Sequence, residues 1–578
     1  MFKFIGIISL LIVSVLAGAQ SFITPFESSD SLESATYFQA VSFYEKLDKQ
    51  YKTIAIEYDL GPTDADYPLS VVYYDGDEPE ILSPAEWKKK GKTIILINNG
   101  IHPGEPDGID ACMMLMRDAA TGKINIPKNI VIAVIPVFNI GGCLNRNSYS
   151  RANQNGPKEY GFRGNSQNLD LNRDFMKLDA EETRTLVRFM RWLDPDIFID
   201  NHVSDGADYQ HVMTLLATQH NKLGGETGSY MNNTFVPMIY ADMKKRGYDL
   251  VPYVNDFSST PDHGWREFYE PPRFGSGYVA LWQTMAFVPE THMLKPFRQR
   301  VSATYQLMLS FISTAALHAD DIKTARNNDR EKLLQKKEFT LDWKVDTTRS
   351  TPVTFKGYEA EYRPSKVSGQ PRLFYDHNKP FTKQVPFYNY YVASKKITAP
   401  KAYVIPQGWS DVIERLECNG VYMYRLRSDS TMTLTTYRIT KYETVPAPYE
   451  KHYLHRNINV TVQNEKVKLL KGDYIIPVNQ PAKRYLIEAL EPTAPDAFLA
   501  WNFFDGILQQ KEYFSDYVFE DTAASILQRD NSLKLLLDNK SKADSSFQKN
   551  GAAQLDFIYR HSPYYEPSNM RYPVFRID

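Results

Sequence analysis

A histidine and a glutamate three residues apart, His102 and Glu105, follow directly on the apolar run Thr93–Asn98, in the stretch Asn99-Gly100-Ile101-His102-Pro103-Gly104-Glu105. Pro103 and Gly104 enforce a tight, fixed turn, so both side chains can be aimed at one point. A neutral imidazole with a carboxylate suits Zn²⁺. Alone the pair is a weak signal, because His-x-x-Glu arises by chance in many chains. A third donor has to come from another strand end. His202 is the candidate, since it follows the strand-like run 196–201; His211, His220, His263 and His292 compete for the same role. Two imidazoles and one carboxylate leave a coordination position open, the pattern of catalytic rather than structural zinc.

Two further elements set polar groups on apolar backbone. In Asn168-Leu169-Asp170-Leu171-Asn172-Arg173-Asp174-Phe175, the Arg173 guanidinium can grip a carboxylate in bidentate fashion; pairing with Asp170 or Asp174 is the structural alternative. In Phe287-Val288-Pro289-Glu290-Thr291-His292, Glu290 ends an apolar run. A buried acid is costly unless it is paired or functional. Beside a metal-activated water it is a natural general base.

These residues need a scaffold that brings remote strand ends together. Residues 37–48 have the spacing of an amphipathic helix, and β-rich runs follow at 52–60 and 68–75. Strands and helices then alternate: Thr93–Asn98, a helical pattern over 107–119, a β-rich run over 129–137, a helix over 178–193 and a strand over 197–200. Asp179 with Glu182 three residues later gives that last helix an arrangement like a capping box, and Pro195 stops it. The alternation predicts an α/β fold, a mixed, mostly parallel sheet with helices on both faces. In open α/β sheets ligands gather beyond the carboxyl ends of strands, where His102, Glu105 and His202 would all lie. A helical stretch over 297–319 closes this unit, and the charged stretch 320–338 reads as a solvated helix or linker. Beyond it, short runs rich in Tyr, Val and Thr predict a mixed α/β or β-rich region, with one strand–helix–strand unit over 402–426.

Taken in order, the four elements resemble the zinc metallocarboxypeptidase family over residues 37–318. The resemblance implies His102, Glu105 and His202 as zinc ligands and Glu290 as the catalytic carboxylate. It implies that Asn172 and Arg173 bind the free C-terminal carboxylate of a peptide. An upstream arginine of the family polarises the scissile carbonyl. Arg146, Arg151 and Arg163 are available, and Arg151, in Ser150-Arg151-Ala152-Asn153, is the choice. For the family's mobile tyrosine, Tyr253 is chosen over Tyr269 and Tyr278. Asp174 stands where the family usually has a second asparagine, and the stretch 255–277 does not align easily, which leaves side-chain preference open. The region after 340 resembles the C-terminal extension of secreted bacterial members. Small-molecule deacylases resembling aspartoacylase and succinylglutamate desuccinylase share His-x-x-Glu and Asp-Leu-Asn-Arg, so deacylation of N-acyl amino acids is the alternative. Peptide binding without catalysis on the same fold is a third.

The rest of the sequence bounds the setting. Lys3, an apolar run from Phe4 to Leu16 and Ala17-Gly18-Ala19 predict a signal peptide over 1–19, hence a secreted or periplasmic protein with no membrane span after cleavage. The expected organisation is a catalytic unit over 20–320, a charged linker over 321–339 and an accessory region over 340–578. A net charge of −2 in 578 residues gives no basic field for nucleic acid. Three cysteines are no disulfide framework. Cys112 reads as a core residue, with pairing to Cys143 left open.

Overall fold

The computed structural model describes residues 22–77, 81–255 and 259–578. The expected signal peptide lies outside these residues. Among them, no helix is long and apolar enough to cross a membrane.

Among the described residues up to 292 there are ten strands: β1 (Ile54–Glu57), β2 (Val71–Tyr74), β3 (Thr93–Asn98), β4 (Ile130–Ile135), β5 (Ile197–Asp200), β6 (His202–Ser204), β7 (Met213–Ala217), β8 (Val251–Pro252), β9 (Trp265–Arg266) and β10 (Met285–His292). All but β9 form one sheet, in the order β1-β2-β4-β3-β5-β10-β7-β8, with β6 also paired to β10. Its centre, β4-β3-β5-β10, is parallel, while β2 runs antiparallel to both β1 and β4, and β7 runs antiparallel to β10 but parallel to β8. This is the expected mixed sheet.

Every residue of β3, β4 and β5 is buried, as a sheet covered on both faces requires. The pleat sends alternate side chains to opposite sides. Ile94, Leu96, Val131, Ala133 and Phe198 enter one core, and Ile95, Ile97, Ile132, Val134 and Ile199 enter the other. The second core is closed by the helices Tyr37–Gln50, Asp107–Ala120 and Phe297–Leu317. The first is closed by Glu181–Leu193 and runs on without a break into residues 403–574. The C-terminal region therefore shares a core with the sheet that carries the site.

That region holds β11 (Glu338–Val345), β12 (Thr351–Pro364), β13 (Pro371–Tyr388), β14 (Tyr391–Thr398), β15 (Ala402–Ile405), β16 (Tyr424–Arg425), β17 (Ser430–Thr444), β18 (His455–Leu469), β19 (Tyr474–Pro477) and β20 (Phe575–Ile577). β12 and β13 form a long hairpin that also pairs with β9, and β17 and β18 form a second hairpin on a six-stranded sheet. The expected unit over 402–426 is present as β15, the helix Ser410–Cys418 and β16. The helices between Asp516 and Arg560 have their own small core around Phe519, Leu533 and Phe547. The sequence reading, a mixed α/β or β-rich region over 340–578, did not resolve them.

Two local expectations differ from the structure, and one left open is settled. The helix expected from 178 runs Glu181–Leu193 with no capping box. Asp174 instead accepts the Asp179 and Ala180 amides, and the Glu182 carboxylate holds the Asp64 amide and Asn165. The charged stretch after 320 is a helix, Ala319–Gln335, with one face docked. There Arg326 is buried against Asp194 and Asp196, and Asp329 accepts two amides at 226 and 227. Cys112 and Cys143 are both buried and both free, so the open pairing is not made.

Candidate metal centre and active site

The turn after β3 carries the first two donors. Gly100 sits at φ +66° and opens it, and the Glu105 amide donates back to the His102 carbonyl at 2.8 Å. Gly104 is required by close approach. A Cβ there would lie 2.6 Å from Cδ of Arg151 and 3.1 Å from the Gly161 carbonyl. Two residues past Glu105, Asp107 starts the helix Asp107–Ala120 and receives the fully buried Arg300 at 2.9 Å. Thr291, on β10, donates to the same carboxylate. The turn is thereby fastened to the strand that bears Glu290.

His202 opens β6 just past the end of β5. It lies in register with Glu290 of β10, so one pair of neighbouring strand ends presents both side chains. His102, Glu105 and His202 are buried, and one donor atom from each lies within 4.8 Å of the others. Glu105 Oε1 is 3.4 Å from His102 Nδ1, and Oε2 is 3.1 Å from His202 Nδ1. Each outer nitrogen lies beside a carboxylate: Nε2 of His102 is hydrogen-bonded to Asp170 at 2.9 Å, and Nε2 of His202 is 3.3 Å from Asp200 without a hydrogen bond. Carboxylates behind histidines in this way fix the ring and leave the inner nitrogen for a metal. His102 Nδ1 is buried without a hydrogen-bond partner. A donor set of two imidazoles and a carboxylate, each backed by an acid, fits zinc. Among the described residues no other His/Cys/Asp/Glu group has this geometry. The rival histidines have other partners: His211 lies against the Asp249 carbonyl and the Lys356 amide, His292 against the Ala207 carbonyl, and His220 packs on Tyr390, while His263 is exposed.

The electrostatics reinforce this arrangement. Burial alone would raise the Glu105 carboxyl, but Arg151 and His102 hold it well below the usual carboxylate range. Burial would lower His202, but Asp200 and Glu105 raise it well above the ordinary value. Burial pushes Glu290 up to about 8, against the pull of His202. A group of that kind is suited to taking up and returning a proton near neutral pH.

All eight residues singled out in the sequence line one cavity of about 640 Å³: His102, Glu105, Arg151, Asn172, Arg173, His202, Tyr253 and Glu290. Arg151 donates to Glu105 at 2.8 Å. Arg163 also lines the cavity and binds Asp170 through Nε at 2.9 Å and Nη2 at 2.8 Å. Arg146 points away, to Ser34 and the Glu159 carbonyl. Asn172 is oriented by the Gly275 amide, which donates to its Oδ1 at 3.1 Å. The Arg173 guanidinium lies 4.1 Å over the Phe274 ring. Its approach to Asp170 is only 4.0 Å, so the structural pairing considered for it is weak. Tyr253 packs edge-on against Phe268, while Tyr278 is buried away from the cavity against Asn419.

The sequence patterns match known proteins in the same region. The zinc carboxypeptidase family pattern covers residues 40–186. Residues 40–186 are similar to the zinc carboxypeptidase family, and His202 and Glu290 lie beyond the matched stretch. Carboxypeptidase 2 of Trichophyton tonsurans is 21% identical over 452 residues, covering 74% of this chain and 77% of the fungal one. Carboxypeptidase 2 of Trichophyton rubrum is similar to the same extent. Both matches are longer than the N-terminal unit alone. Among solved structures, a metallo-carboxypeptidase from Burkholderia cenocepacia is 12% identical over 49% of this chain and 70% of its own, with a TM-score of 0.37. Carboxypeptidase A from Helicoverpa armigera is 12% identical over 49% of this chain and 74% of its own, also at 0.37.

Three residues of the candidate site are not identified by the sequence analysis. Asp170 enters the sequence analysis only as one alternative partner of Arg173, beside Asp174, although its spacing from Asn172 is a usable signal. Asp200 ends β5 and carried one. Glu270 had none: it lies in the stretch that aligned poorly, yet it is buried and lines the cavity with Phe268 and Phe274. Replacing His202 by Ala should remove most of the bound zinc. Elemental analysis of dialysed protein checks this, and full occupancy would take His202 out of the ligand set.

Proposed function

We propose that this protein is a zinc-dependent exopeptidase that removes the C-terminal residue from peptides outside the cytoplasm. The observation that carries the reading is one cavity shared by the three-donor cluster, Glu290 and the Asn172–Arg173 pair. The exported location rests on the N-terminal sequence alone. Residues 20–320 are taken as the catalytic unit and 340–578 as a region packed on it. Held by His102, Glu105 and His202, zinc supplies Lewis acidity, which makes water a stronger nucleophile near neutral pH and polarises an amide carbonyl.

The chain's own groups do the rest. Asn172 and Arg173 bind the terminal carboxylate and so place the last peptide bond in the cavity. Glu290 takes a proton from the attacking water as the oxygen–carbon bond forms. It returns that proton to the amide nitrogen as the carbon–nitrogen bond breaks. Arg151 faces the oxygen on which negative charge develops. Tyr253, Phe268 and Phe274 give the cavity aromatic walls that exclude water.

Glu270 bears on side-chain preference. Its carboxyl takes the Ser276 hydroxyl; burial pushes its pKa up, while Ser276, His202 and Arg173 pull it down. Lys222 is nearby, but its ammonium is bound to the Glu270 backbone carbonyl. A buried acid in a substrate cavity favours a cationic over an anionic C-terminal side chain.

Three substitutions test these roles. Glu290→Gln should keep zinc while turnover falls by about 10²–10⁴-fold; near-normal turnover removes Glu290 from the proton transfer. Arg173→Ala should erase the preference for a free-acid peptide over its C-terminal amide, and an unchanged preference means the carboxylate is held elsewhere. Peptides ending in Lys and in Glu, cleaved side by side, should show a preference for Lys that shrinks at least about tenfold in Glu270→Gln, the ~1.4 kcal/mol of one charge-assisted contact. A ratio that ignores the substitution ends that assignment.

A further inference from the structure

The turn that presents Asn172 and Arg173 is gripped from behind by the C-terminal region. The grip comes from the tip of the β17–β18 hairpin. There the Tyr449 and His452 backbones pair across a two-residue turn made by Glu450 and Lys451. Both central residues have positive φ, +48° and +74°. That is the backbone of a type I′ turn, which favours Asn-Gly, and neither glutamate nor lysine suits it. Strain of this sort persists where the surroundings require it, and it collects at functional sites.

The result of the turn is the placement of one carboxylate. Glu450 Oε2 accepts the Asp170 amide at 2.8 Å, across 280 residues of sequence. Neighbouring contacts hold the tip in place. His452 Nε2 is 2.8 Å from Asp179, and Tyr449 stacks on Trp501. Arg415 reaches the same Asp179 at 3.1 Å.

Asp170 is where the grip becomes functional. One of its carboxylate oxygens meets His102 Nε2 at 2.9 Å and accepts the Asn172 amide at 2.9 Å. The other takes Arg163. A fixed Asp170 backbone therefore sets both the His102 ring and the start of the carboxylate-binding turn. Resting on the exopeptidase reading above, we infer that Glu450 is a positioning residue for the active site. The C-terminal region thus completes that site rather than forming a detachable appendage.

The experiment compares Glu450→Ala, Glu450→Asp and Glu450→Gln in the full chain. Zinc affinity is read by competition with a chromogenic chelator, and KM and kcat with a free-acid peptide. Ala removes the acceptor, and Asp draws it back by one methylene while keeping the charge. Both should weaken zinc by about tenfold or more and raise KM. Gln can accept the same amide through its oxygen and should stay within about threefold of the parent. The inference is overturned if Ala and Asp leave zinc affinity and KM unchanged, or if Gln falls as far as Ala. Should Ala fail to fold, the Asp and Gln pair decides. The zinc competition needs no turnover, so a parent protein that binds zinc but cleaves no peptide rejects the exopeptidase reading and leaves this one standing.

Discussion

The Asp170 carboxylate is the constraint on which the site depends. It is buried, and burial alone would raise its pKa, but His102 and Arg163 hold it well below the usual range. An acid kept ionised there does two jobs with two oxygens. One fixes the His102 ring and the Asn172 amide, the other fixes Arg163. The proposed metal-binding and carboxylate-binding groups, which belong to separate stretches of sequence, are thereby tied to one atom group. Its own amide is held by Glu450, from a hairpin of the C-terminal region. Behind His202, Asp200 plays a simpler part, itself steadied by Asn98 Nδ2 at 3.0 Å.

The sheet explains why these groups can meet at all. β3 and β5 are parallel neighbours, and β10 lies beside β5, so their carboxyl ends emerge on one edge. His102 and Glu105 leave from the first, His202 from the second, and Glu290 stands near the end of the third. Any strand slipped by one residue would turn its ligand to the opposite face. Burial of every side chain in β3 and β5 makes that slip prohibitive. Continuity of one core into the C-terminal region then makes the two halves of the chain a single mechanical unit around the turn at 170–179.

How much of this was legible in the sequence follows from the range of the interactions involved. The strands β3, β4 and β5 announce themselves as short apolar runs, and the helix Asp107–Ala120 by its periodicity. The ligands and Glu290 stand at the ends of such runs, so their types and positions were readable. Partnerships were not. The Asp179–Glu182 spacing looked like a cap, but Asp174 was better placed to serve the helix, and Asp179 went to Lys177, His452 and Arg415. The stretch after 320 looked solvated because its charges are many, yet Arg326 is buried by acids more than a hundred residues away. Glu270 and Glu450 lie in loops whose sequence carries no period. Their meaning exists only once the chain has folded.

The central claim is that a metal held by His102, Glu105 and His202 acts on the last peptide bond of a chain anchored through Arg173. The most direct measurement is mass spectrometry of a defined peptide incubated with the protein, with a chelator, and with zinc restored after the chelator. The account predicts the loss of single residues from the C-terminus, abolished by the chelator and recovered with zinc. Internal cleavage, or trimming that persists when the metal is withdrawn, would contradict it.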